Sequence, residues 1–302
     1  LGRLVPASHG FVEAINLAAW RGGVVVRVPA GVTLEHPIRL RFVAPAAGGA
    51  SLPRVLVVAG AGSSFEVVEG HLEGDGQAAQ VLGVTELLIE DGATVRYGLV
   101  QRWEPGITGH LTLRASLGAG ARLQLALASF GGGVAKVDVG ATLEGRDAEV
   151  ETYGVAMGAG RQHLDHHTEH IHHAGSTRSN LGFKVAMTGA SRSAYTGLIS
   201  IAREAAGCEA YQENRNLLLA EGARADSIPE LEILNDDVRC SHGATVSKLD
   251  DEQLFYLQSR GLPRSQAVRL IVYGFLGQTL DRLPQITRER IEALVAARLH
   301  SE

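Results

Sequence analysis

The stretch HLTLRASLGAGARLQLALASF, residues 110–130, decides the fold. Leu111, Leu113, Ala115 and Leu117 alternate with polar neighbours, and so do Leu123, Leu125 and Leu127. Period two is the mark of strands with one buried face. Between the two runs lies Gly118–Ala119–Gly120–Ala121, a corner of small residues that permits positive φ and close backbone approach.

Outward from this stretch the same text recurs. TVRYGLVQRW (94–103) alternates at Val95, Tyr97 and Leu99, and Gly–Ala steps return in EDGATV (90–95), VGATLE (139–144) and AEGARAD (220–226). The spacing, on the order of 20–30 residues, lies in the range of stacked repeats. The reading is a mainly β chain built as a solenoid of stacked rungs. A β-sandwich satisfies the same turn signals and strand lengths, and the bias to small residues favours the solenoid.

At the edges the period changes. GFVEAINLAAW (10–20) predicts a short helix carrying Phe11, Ile15, Leu17 and Ala18. After residue 248 three helices are expected. The first starts at Asp250 as N-cap with Gln253 three residues on, aligns Leu254 with Leu257, and stops at Gly261. The second runs between Pro263 and Pro284 with a stripe of Val268, Ile271, Val272, Phe275 and Leu276. The third turns Ile291, Leu294 and Val295 inward. The expected organisation is an entry segment (1–22), a β core (23–247) and a C-terminal α-helical domain (248–302). Those helices would cover the open end of the solenoid or dock a partner.

The composition excludes several classes. The 302 residues carry a net charge of −5 without a Lys/Arg block, so no nucleic-acid partner is expected. No apolar run approaches the roughly 20 residues that span a bilayer, so no membrane partner is expected. Two cysteines, Cys208 and Cys240, fit a reducing cytoplasm rather than a disulfide scaffold. Nucleotide-binding glycine loops, a nucleophile elbow and an H-E-x-x-H pair are all missing. A carbohydrate-active β-helix would need carboxylates clustered on one face, and none is evident.

Six of the twelve histidines fall in RQHLDHHTEHIHHAGSTRSN (161–180). On a strand, His166, His170 and His172 share one face with Leu164 and Thr168, while His163, His167 and His173 share the other with Asp165, Glu169 and Ile171. The first three span roughly 13–20 Å along a straight strand, too far for one zinc, whose ligands lie about 2 Å from it. His170 and His172 remain a candidate chelating pair if a neighbouring rung adds ligands. The leading reading is a strand of stacked polar side chains in or along the solenoid. The competing one is a metal-dependent enzyme built on the His163–His173 tract.

RCSHGATVSKLDDEQLFYLQSRG (239–261) resembles the C-terminal signature of the SufB/SufD family, scaffold subunits of iron–sulfur cluster assembly. FVEAINLAAWRGGVVVRVPAGVTLEHPI (11–38), QHLDHHTEHIHHAGSTRSNLGFKVAMTGASRSAYTGLISI (162–201) and AYQENRNLLLAEGARADSIPELEILNDDVRCSHGAT (210–245) resemble the family in the same order. The resemblance implies a right-handed parallel β-helix with helical ends, preceded in full-length members by a further helical domain. It implies a scaffold rather than an enzyme. It implies pairing with a SufB-like subunit through the β-helices, or with itself as a homodimer. A SufC-like ABC ATPase would bind the C-terminal helices, for which Leu254, Phe255 and Tyr256 are the contact candidates. A transient iron–sulfur cluster would form at the partner interface, with none held tightly by the isolated chain.

The resemblance is nearer to the SufD branch. SufB-like chains carry a cysteine where ENRNLLL has Asn214, and a glutamate where HGAT has Gly243. The resemblance implies that the SufD contribution falls on His242, with Cys240 beside it on the same strand face, and imidazole and thiolate both ligate iron. A SufB-like homodimeric scaffold is the alternative within the family.

Overall fold

The computed structural model describes residues 1–72 and 78–300. The last two residues of the expected helical tail lie outside it. A short helix, α1 (Phe11–Ala19), precedes the strands β1 (Gly23–Val28), β2 (Ile38–Val43), β3 (Ala50–Ser51), β4 (Arg54–Ala59), β5 (Ser64–Leu72) and β6 (Ala79–Ile89). Then come β7 (Thr94–Gln101), β8 (Ile107–Leu117), β9 (Arg122–Ser129), β10 (Val134–Leu143), β11 (Glu149–Gly158) and β12 (His163–His172). The last strands are β13 (Arg178–Met187), β14 (Arg192–Ile201), β15 (Cys208–Leu218), β16 (Arg224–Ile233) and β17 (Val238–Lys248). Helices α2 (Asp251–Ser259), α3 (Arg264–Leu280) and α4 (Gln285–His300) complete the chain.

The strands stack into two sheets. The first runs β1-β4-β6-β8-β10-β12-β14-β16, with β3 beside β6; the second runs β17-β15-β13-β11-β9-β7-β5-β2. From β4 onward the chain alternates between them, so each coil contributes one strand to each sheet. Every pairing is parallel, and Val134 of β10 lies opposite His163 of β12, one coil of 29 residues later. A β-sandwich needs antiparallel hairpins, so parallel pairing at one-coil spacing leaves only the solenoid.

The alternation seen in 110–130 fills the lumen. Leu111, Leu113, Ala115, Leu117, Leu123, Leu125 and Leu127 are at most 3 % exposed. The corners stack as expected at Gly92 and Gly120, with φ of 67° and 62°, where each N–H donates to the next coil at 2.8 Å. Ala93 and Ala121 fill the inside of these corners. VGATLE is not a corner: Gly140 sits inside β10, under the Arg114 side chain, where a Cβ would lie 2.8 Å from Arg114 Cδ.

Helices α3 and α4 do not cap an end. α3 and α4 lie along the outer face of the second sheet, and Val272, Leu276, Leu280, Ile291, Val295 and Leu299 pack on Val100, Ala126, Ala128, Val155 and Ala186. Small residues on that face let the helices approach; Thr287 Oγ1 lies 2.8 Å from where a Cβ on Gly98 would be. The N-terminal segment crosses the outer face of the first sheet. Its α1 turns polar residues inward: Glu13 and Asn16 are buried while Phe11 is exposed. Glu86 accepts from the Gly2 and Leu4 N–H groups, and Arg54 donates to Glu86, Asn16 Oδ1 and the Val5 carbonyl at 2.8–3.0 Å. Each sheet is thus covered over part of its outer face. Its far end, bounded by β16 and β17, is paired on one side only.

Candidate functional site

The histidine tract is β12, and its two faces separate as the alternation predicts. His166, His170 and His172 point into the lumen at 1 % exposure or less, with Leu164 and Thr168. Hydroxyls from the second sheet receive them: His166 Nε2 meets Ser129 Oγ at 2.9 Å, and His170 Nε2 meets Thr152 Oγ1 at 2.9 Å. His172 spans Thr177 Oγ1 (2.7 Å) and Ser179 Oγ (2.9 Å). Burial drives His166 and His170 down to a pKa of about 3 and His172 to about 4, so all three are neutral at physiological pH. Their partners are hydroxyls, not further metal-type ligands. Among the described residues no group of three or more His, Cys, Asp or Glu side chains is placed to hold a metal ion.

The outer face of β12 behaves in the opposite way. His167 Nδ1 lies 3.2 Å from Asp138 Oδ1, which Arg114 also approaches at 2.8 Å. The hydrogen bond to Asp138 raises the His167 pKa. Asp138, although largely buried, is held well below the usual carboxylate range by His167 and Arg114. His9 of the N-terminal segment approaches the same carboxylate at 3.8 Å.

The second candidate lies at the end of the solenoid. On β17, Cys240 sits opposite Ala210 and His242 opposite Gln212, both on the lumenal side. Among the described residues no strand pairs with the outer edge of β17, so Cys240 is half-buried and His242 is exposed. Burial raises the Cys240 pKa, an Ala210 backbone hydrogen bond opposes the rise, and nearby Cys208 adds to it. Cys240 is therefore a thiol at neutral pH, and a bound metal or a partner's charge is needed to make it a thiolate ligand. Cys208 is core filling as expected, fully buried with its Sγ 3.1 Å from Thr177 Oγ1. Asn214 is lumenal and buried, its Nδ2 directed at the Phe183 carbonyl and its Oδ1 accepting from Asn216 at 2.7 Å. Gly243 faces out into open space. A cleft of about 690 Å³ beside this end is lined by Glu149, Glu151, Arg178, Glu209, Arg239 and Cys240.

The third candidate is the exposed side of α2. Asp250 caps it, its Oδ1 accepting from the Glu252 and Gln253 N–H groups at 2.9 and 3.2 Å. Leu254 turns inward at 5 % exposure, whereas Phe255 (73 %) and Tyr256 (57 %) turn out, as does Leu270 (52 %) of α3. The hydroxyls holding the lumenal histidines escaped the sequence reading because they carry no motif: Ser129 and Thr152 come from earlier strands, and Thr177 and Ser179 lie just past the corner that follows β12.

The family model for the SUF system FeS cluster assembly SufBD core domain matches residues 42–275, from β2 through most of α3. The chain belongs to the SufB/SufD family. It is 32 % identical over 275 residues to the iron–sulfur cluster assembly protein SufD of Bacillus subtilis, covering 90 % of this chain and 63 % of that protein. It is 29 % identical over 283 residues to SufB of the same organism (93 % and 61 %). A SufBD family protein of Staphylococcus epidermidis is 29 % identical over 282 residues (93 % and 61 %). The chain thus spans about six tenths of the length of these SufB/SufD relatives. SufD and SufB are similar to it to nearly the same degree, so overall identity does not separate the branches.

Proposed function

We propose that the chain is a SufD-like, non-catalytic scaffold subunit of an iron–sulfur cluster assembly complex. One observation carries the reading: the solenoid ends on an unpaired rung, and that rung presents Cys240 and His242. An uncovered strand edge invites another chain. A second SufB-like solenoid docking there brings its own ligands to a thiol and an imidazole, and the two chains together complete a site for the cluster under assembly.

Local chemistry supports the SufD branch over the SufB branch. The position of the SufB cysteine holds an amide, Asn214, bonded within the lumen. The position of the SufB glutamate is Gly243, where a Cβ would meet nothing within 4 Å. A glutamate would fit there, so steric crowding does not account for its absence. Phe255, Tyr256 and Leu270 form the apolar surface proposed to dock a SufC-like ATPase, with Leu254 anchoring α2 from beneath.

The test is co-expression with the SufB-like and SufC-like proteins of the same genome, followed by size-exclusion chromatography and cluster reconstitution. The three chains are expected to co-elute. His242→Ala should leave elution unchanged and lower cluster yield, and Phe255→Asp with Tyr256→Asp should release only the ATPase. Elution of the chain alone, or full cluster yield from the His242 variant, would refute the reading.

A further inference from the structure

A row of charge runs along the outer face of the second sheet. Glu149 lies opposite Arg122 and Arg178, Arg178 opposite Glu209, and Glu209 opposite Arg239. The sign alternates on five successive strands. Arg122 Nε is 3.2 Å and Arg178 Nη1 2.9 Å from the Glu149 carboxylate, and Arg239 Nη1 is 3.5 Å from Glu209 Oε1. The row borders the 690 Å³ cleft and ends at the open edge on Arg239, whose side chain is 87 % exposed. The other outward residues of β17, Ser241, Gly243, Thr245 and Ser247, carry no charge.

We infer that Arg239 selects the partner solenoid, whose strand adjoining β17 carries an aspartate or glutamate facing Arg239. This rests on the end-to-end pairing proposed above. Opposite charges on facing strands attract and like charges repel, so a sixth strand continues the row only with a carboxylate. A single exposed ion pair contributes little affinity. Its effect is discrimination, because a basic residue in that place is repelled and a neutral one leaves the row unfinished. A second copy joined β17 to β17 about a two-fold axis at Gly243 sets Arg239 opposite Ser247, which offers no carboxylate. The occupant the row fits is therefore a different chain.

The experiment uses the full chain with the SufB-like subunit of its genome. Arg239→Glu is expected to weaken pairing about tenfold at low salt, with the difference shrinking in 0.5 M salt. Arg122→Glu, at the inner end of the row, should leave pairing unchanged. In a second arm, Arg239→Lys is treated with a carbodiimide, which takes up the water lost as the lysine amine and a carboxylate form an amide. Mass spectrometry should find that amide on an acidic residue of the partner's terminal strand. If the wild-type chains fail to pair, the end-to-end reading falls and takes this one with it. If they pair but Arg239→Glu binds equally well, or the amide forms only with Glu209, the selector is wrong while the pairing stands. Arg239-dependent self-association of the isolated chain would overturn the assignment to a different partner.

Discussion

β12 and β17 are the two strands of this solenoid that carry candidate metal ligands, and the fold treats them in opposite ways. β12 lies between β10 and β14, and its three inward imidazoles are sealed in the lumen against hydroxyls. β17 has one neighbour, and its inward Cys240 and His242 look out of an unfinished coil. The strand richer in histidine is the one less able to meet a ligand. A ring with both neighbours in place and a pKa of about 3 is neutral, hydrogen-bonded core material. The same ring on an edge strand keeps its coordination free for another chain. What marks the site is the missing strand, not the density of imidazole.

The sharpest way to break this comparison is with acid. His166, His170 and His172 titrate at about 3, 3 and 4 in the folded chain, against about 6.5 unfolded. A depressed imidazole pKa means the unfolded state binds more protons below pH 6.5. The stability held above pH 6.5 is therefore lost as pH falls toward 4. Between pH 7.5 and 5.5 three such groups together cost about 4 kcal/mol. His167, raised by Asp138, acts in the opposite sense and offsets a small part of this, since its side chain is 36 % exposed. Urea unfolding at the two pH values reads the loss, and His170→Gln should flatten the slope by about a third. A flat profile would mean that the β12 histidines are solvated and that the two strands are not different in kind.

A pair of truncations tests the same contrast at neutral pH. His172→Ala empties a fully buried position and leaves Thr177 and Ser179 short of a partner. The expected cost is about 3 kcal/mol, from the cavity and the orphaned hydroxyls together. His242→Ala removes an exposed ring and should change stability by no more than about 0.5 kcal/mol. Denaturant midpoints at unchanged slope decide between them. Equal costs would place His242 in the packed interior and remove it as an interface ligand.

Much of this architecture is legible in the sequence, and the reasons are local. Period-two alternation at Leu111–Leu117 and Leu123–Leu127 fixes which residues face inward, and the Gly–Ala corners at Gly92 and Gly120 fix where coils turn. The same parity separates the two histidine faces of β12. VGATLE misleads because a glycine inside a strand and a glycine at a corner read alike; only Arg114, one coil earlier, distinguishes Gly140. The placement of α3 and α4 on a flank rather than an end depends on small residues in three strands, Gly98, Ala126 and Ala186, which no helical pattern reveals. The buried polar seat of α1, with Arg54 and Glu86 beneath it, is equally long-range. For the candidate site, the order of residues in CSHGAT places Cys240 and His242 on one face, but that their strand is the last one is a property of the whole stack.

The mildest prediction concerns the two thiols, which differ in exposure by one coil. Cys208 is sealed beneath β17, and Cys240 lies on the edge strand. A disulfide-exchange reagent at pH 8 should modify one thiol per native chain and the second only on unfolding. The first should react more slowly than a free cysteine, because burial raises the Cys240 pKa and lowers its thiolate fraction. Cys240→Ser should abolish the native phase with a stability change of no more than about 1 kcal/mol, since the site is only partly buried. Docking of a SufB-like solenoid should then protect Cys240 in proportion to complex formed. Two thiols reacting together would mean that β17 opens with β15 as a unit, and the last rung would cease to be a distinct surface. A native-state thiol that a docked partner leaves equally reactive would place the partner somewhere other than this edge.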